Sequence, residues 1–130
     1  MSYTTEKLHD EPIIVATLYA DYNHAQEGEA AINEAVAMLG AQSEPVYYVL
    51  DVTKYAPTFE ELVSSVNWGG KGNLPTFRHP NVRESIVVSS NGMVKLAAQG
   101  LKTATWGNTT IPVFDTLNEA LTYVREQSVL

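Results

Sequence analysis

The stretch from Pro45 to Leu62 constrains the fold of this chain more than any other. Val46 to Leu50 is a continuous apolar run of aromatic and β-branched residues, the composition of a strand covered on both faces. Asp51 ends the run where a parallel strand reaches the rim of its sheet. Thr58 and Glu61 then stand at capping-box spacing, and Phe59, Leu62, Val63 and Val66 mark one face of a helix. A buried strand followed by a capped helix is the unit of an α/β sheet, and ligands and partners engage such sheets at strand-to-helix junctions.

The flanking segments extend the pattern. Tyr3 to Leu8 is a polar strand candidate at a sheet edge, and His9-Asp10-Glu11-Pro12 is a turn. Ile13 to Tyr19 is a stronger strand, antiparallel to the first. Asp21 or Asn23 is placed to cap a helix running to about Leu39, with Ile32, Val36 and Leu39 inward and Gly40 at its end. Residues 67–81 hold three glycines and two prolines and read as a long loop. A short strand spans Ser85 to Ser89, and Ser90-Asn91-Gly92 turns into a helix lined by Met93, Leu96, Ala97 and Leu101. Ile111 to Phe114 is the last strand, with Pro112 arguing for an edge position. Thr116 and Glu119 cap the closing helix, whose inner face is Leu117, Ala120, Leu121 and Val124. The expectation is a single α/β domain over residues 1–130. Its sheet is mostly parallel, with about five strands in the order β-β-α-β-α-β-α-β-α.

Composition narrows the function classes. The 130 residues carry 15 Asp and Glu against 8 Lys and Arg, a net charge of -7, which repels phosphate backbones and anionic lipid surfaces. Nucleic acid and membrane are therefore not expected partners. The chain has no cysteine, which excludes disulfides, thiolate nucleophiles and Cys-ligated metals. The N-terminus lacks the apolar core of a signal peptide, and no apolar run reaches transmembrane length. A cytoplasmic location is the expectation.

The element order, the closing Val113-Phe114-Asp115-Thr116-Leu117-Asn118-Glu119-Ala120-Leu121, and His79-Pro80-Asn81-Val82 before a strand together resemble the SpoIIAA-like (STAS-like) superfamily, in an uncharacterised bacterial branch. The resemblance covers nearly the whole chain. It implies a regulatory, protein-binding role like that of the anti-sigma-factor antagonists. There a strand ends in Asp, and a hydroxyl at the next helix start, preceded by Asp and followed by Gly, is phosphorylated to control binding to a partner kinase. Asp51 matches the strand-end carboxylate and Thr58 is the nearest hydroxyl. Ala56-Pro57 replaces the preceding acid and Phe59 the glycine, so the switch motif is degraded.

Each candidate has a second reading. Thr58 is a phosphate acceptor at a helix N-terminus or simply the cap of that helix. Asp51 is a partner contact or a loop carboxylate bonded to nearby backbone N–H groups. Trp68, Phe77 and Trp106 form a loop-borne set that lines an apolar ligand site or interface, or packs beneath the loops. Small apolar-ligand binding, as in lipid carriers of this fold, is the alternative function. His9, His24 and His79 lack metal-ligand spacing. Ser89-Ser90-Asn91-Gly92 lacks the nucleophile-elbow pattern, and Gly69-Gly70-Lys71-Gly72 lacks the hydroxyl residue of a phosphate loop. The sequence thus points away from an enzyme, a cofactor and a metal. A polar edge hairpin also admits a homodimer.

Overall fold

The computed structural model describes residues 2–55, 80–100 and 111–128. Five strands form one sheet in the order β1-β2-β3-β4-β5. They are β1 (Tyr3–Lys7), β2 (Ile13–Leu18), β3 (Val46–Asp51), β4 (Val82–Val88) and β5 (Val113–Phe114). Among the described residues there are three helices, which we label α1 (His24–Gly40), α2 (Gly92–Gly100) and α3 (Leu117–Ser128). The helix expected after Thr58 and residues 67–79 of the expected long loop fall outside the described residues.

The pairing follows the expected plan. β1 runs antiparallel to β2, whereas β2/β3, β3/β4 and β4/β5 are all parallel. β3, the apolar run read first, lies at the centre of the sheet. Its register with β4 shifts between Val46 and Tyr47. β4 begins at Val82, earlier than the apolar run at Ser85, because Glu84 pairs with Tyr47 through the backbone ladder whatever its side chain. β5 is the far edge, and Pro112 joins it only as an acceptor, its carbonyl taking the Val87 N–H at 3.0 Å.

Side chains alternate between the two faces. Ile13, Val15, Tyr47, Val49, Ile86 and Val88 meet Ala120 and Val124 of α3 on one side. Ile14, Ala16, Val46 and Tyr48 meet Ala35 and Leu39 of α1 on the other. On that second side Val52, Val87 and Ile111 also pack against Val94 of α2, with Leu50 bridging the two groups. A sheet buried on both faces explains why its central strand shows no apolar–polar alternation.

At two of its four expected inward positions α2 differs from the expectation, while the Ala97 side chain and Leu101 lie outside what is described. Met93 and Leu96 are exposed, at 42% and 69%, and Val94 is buried instead. With about 100° per residue, seating Val94 on the sheet carries Leu96 to the solvent side of the helix.

Asn81 explains part of the His-Pro-Asn-Val stretch. Its Nδ2 donates to the Leu39 carbonyl at 2.9 Å and the Gln42 carbonyl at 3.3 Å. Its own carbonyl takes the Val46 N–H at 2.7 Å. The Asn81 side chain thereby closes the C-terminal end of α1, while its main-chain carbonyl ties the start of β4 to the start of β3.

Candidate functional site

Four parallel strands end together, and the last cross-strand row, Thr17, Asp51, Val88 and Phe114, marks the rim of the sheet. Helices α1, α2 and α3 begin from this rim. At β2 the chain turns through a Tyr22 N–H to Tyr19 carbonyl bond of 3.0 Å. Asn23 then caps α1, its Oδ1 accepting from the Gln26 N–H at 3.1 Å. Glu27 reaches back with Oε1 to the Asn23 N–H at 2.8 Å, and its Oε2 accepts a hydrogen bond from the Ser2 hydroxyl. The Ser2 bond first, then the Asn23 N–H, hold the Glu27 carboxyl below its usual range.

Asp51 is 5% exposed. Its Oδ1 accepts from the Thr53 N–H at 2.9 Å and from the Thr53 hydroxyl at 2.7 Å. This is the local carboxylate-to-backbone arrangement that the sequence allowed for, and it shapes the chain leaving β3.

At β4, the buried Ser89 hydroxyl accepts from the Asn91 N–H at 3.0 Å. Asn91 Oδ1 takes the Met93 N–H at 2.8 Å, which starts α2. At β5, Asp115 pairs with Lys95 of α2 at 2.5 Å. Thr116 caps α3 by accepting from the Glu119 N–H at 3.2 Å and donating to Glu119 Oε1 at 3.2 Å. The expected cap at Thr116 is therefore present, and the rim is organised by side chains that hold the backbone N–H groups of its own helices.

Sequence reasoning missed an aromatic wall. Tyr22, only 8% exposed, stands edge-on to Tyr3 with centroids 6.3 Å apart and to Tyr55 at 5.2 Å. Lys54 Nζ lies 5.2 Å from the Tyr19 ring centroid. The available signal was placement: Tyr19, Tyr22 and Tyr55 all stand in the junctions after β2 and β3.

The structure brings together Asp51, Asn23, Asn91, Asp115 and Thr116 on one rim. Thr58, Trp68, Phe77 and Trp106 lie outside the described residues, so the switch position and the apolar-ligand set have no geometry here. Among the described residues, no group of three or more His, Asp or Glu side chains is placed to hold a metal ion. No helix among them is long and apolar enough to cross a membrane. The rim offers polar caps, exposed carboxylates and tyrosine rings, and α2 carries two exposed apolar side chains beside it.

No protein-family model matches the chain, and no curated protein sequence matches it. Solved structures do resemble it. An uncharacterized protein of the DUF3478 family with a SpoIIAA-like fold, from Shewanella loihica PV-4, superposes with a TM-score of 0.57 at 10% identity. That match covers 94% of this chain and 91% of the other. An anti-sigma factor antagonist from Mycobacterium paratuberculosis superposes with a TM-score of 0.56 at 21% identity, over 95% of each chain. The fold is SpoIIAA-like.

Proposed function

We propose that the chain is a regulatory domain that works by binding another protein, after the manner of anti-sigma factor antagonists, and performs no chemistry of its own. The observation that carries this reading is the exposure of Met93 and Leu96 on α2, directly after the Asn91 cap at the sheet rim. Large apolar side chains left in solvent beside ordered polar groups supply the apolar centre and polar margin of a protein contact. The similarity to an anti-sigma factor antagonist supports a partner of the anti-sigma-factor kind. In this reading the phosphorylation switch is lost, because Ala56-Pro57-Thr58-Phe59 lacks the acid and the glycine that flank the switch hydroxyl in that family. Asp51 then shapes the contact loop through Thr53, and partner choice rests on the rim itself.

Affinity capture from the source cell's lysate tests the proposal. The wild-type chain should retain a defined partner, the Met93→Glu/Leu96→Glu double variant should lose it while melting normally, and Thr58→Glu should keep it. Equal capture by wild type and the double variant, or no partner at all, would reject the reading.

A further inference from the structure

We propose that the outer edge of β1 is a homodimer interface, in which two copies pair their β1 strands antiparallel about a two-fold axis through Thr5. This goes beyond the partner contact argued above, because β1 is an edge strand and the Met93/Leu96 surface follows β4.

Backbone parity is the first ground. Between β1 and β2 the Tyr19 N–H donates to the Ser2 carbonyl and the Leu8 N–H to the Ile13 carbonyl, both at 2.9 Å. In the observed register, Ser2/Tyr19 and Leu8/Ile13 are therefore hydrogen-bonded pairs, and the even-numbered residues Thr4 and Glu6 also bond inward to β2. The N–H and C=O groups of Tyr3, Thr5 and Lys7 consequently point away from the sheet. They have no partner among the described residues. An edge of this kind is a template for another strand.

Side-chain complementarity selects the occupant and its register. Two-fold pairing must place outward residues opposite outward residues, so the axis can pass through Thr4, Thr5 or Glu6. An axis through Glu6 sets two carboxylates directly opposite, which is destabilising. An axis through Thr4 leaves Lys7 beyond the described strand of its partner. The axis through Thr5 pairs the whole strand: Tyr3 faces Lys7 of the second copy, Thr4 faces Glu6, and Thr5 faces Thr5. It makes on the order of six main-chain hydrogen bonds, with two Tyr–Lys contacts in the cation–π class. The surface is then self-complementary, as an isologous dimer requires. The net charge of -7 on each copy opposes association, so dimerisation should strengthen as salt screens it.

Because the chain has no cysteine, single-cysteine variants test both the interface and its register. In the proposed pairing residue 4 of one copy lies about 4.5 Å, Cα to Cα, from residue 6 of the other, within disulfide reach. A mixture of Thr4→Cys and Glu6→Cys chains should oxidise to a crossed dimer at least tenfold faster than either variant alone. Rapid self-linking of Thr4→Cys alone, or of Glu6→Cys alone, would overturn the Thr5 register in favour of another. Sedimentation of the wild-type chain should show a dimer that increases with concentration and salt. Thr5→Pro removes an outward N–H and leaves the β1–β2 bonds in place, so it should remain monomeric and melt like dilute, monomeric wild type. A wild-type chain that stays monomeric at every concentration and salt, with no crossed disulfide, would overturn the proposal.

Discussion

Arg125, in the last turn of α3, donates from Nε to Glu11 Oε1 at 2.7 Å and from Nη2 to Glu11 Oε2 at 3.2 Å. This two-pronged contact joins the turn between β1 and β2 to a helix 114 residues later in the chain. It pins the antiparallel hairpin to the last element of the fold. The Arg125 hydrogen bond, and then its charge, hold the Glu11 carboxyl below its ordinary range. A carboxyl depressed in the folded state contributes stability above its unfolded titration, and that stability is lost as pH falls through the folded value. The pair is exposed, so its effect is modest and salt-sensitive. We expect Glu11→Gln to lower the melting temperature at neutral pH and low salt. The gap from wild type should close as pH drops below about 4. A gap that persists in acid would show that another interaction is responsible.

Asn81, immediately before β4, should be a costly polar side chain to remove. Truncation to Ala withdraws two donors from the Leu39 and Gln42 carbonyls and uncaps the end of α1. A loss of about 1–3 kcal/mol is expected in denaturant unfolding. Asn81→Asp should be no better, since it removes the amide donor and places negative charge at the negative end of the α1 dipole. Wild-type stability in either variant would reject the capping role.

Much of this architecture was legible because β2, β3 and most of β4 are short apolar blocks with clear ends. Val46 to Leu50 announced a strand covered on both faces, Pro112 an edge, and Thr116 with Glu119 a helix start. The inner face of α2 was not legible, since Met93, Val94 and Leu96 are all apolar. Tertiary packing of Val94 against Val87 and Ile111 made the choice that helical periodicity left open. Nor was the Tyr22–Tyr55 contact legible, because it joins junctions that become neighbours only once β2 and β3 pair. Asp51 was correctly placed at a strand end, but its bonds to Thr53 are a matter of loop geometry that spacing alone does not specify.

Ser85 presents the opposite case to Asn81. It is 7% exposed on β4, and its hydroxyl has no hydrogen-bond partner among the described residues. A buried polar group left unpaired costs about 1–3 kcal/mol. Ser85→Ala removes the hydroxyl with little change of volume, and we expect it to raise unfolding stability by about 1 kcal/mol. Denaturant titration checks this. A loss of stability would mean that the hydroxyl finds a partner in solution.

Asp51 separates a structural role from a recognition role through two substitutions. Its Oδ1 is the acceptor for both Thr53 bonds, so an amide that keeps an oxygen there should keep the loop. Asp51→Asn is therefore expected to unfold within about 0.5 kcal/mol of wild type. Asp51→Ala, which leaves the Thr53 donors without that acceptor, should lose about 1–2 kcal/mol. Partner capture by the same variants then isolates the charge. If the rim is read mainly by shape, Asp51→Asn retains the partner that Asp51→Ala weakens. If the carboxylate itself is read, Asp51→Asn loses the partner at unchanged stability. Equal stability of the two variants would contradict the Thr53 bonds as the structural task of this residue.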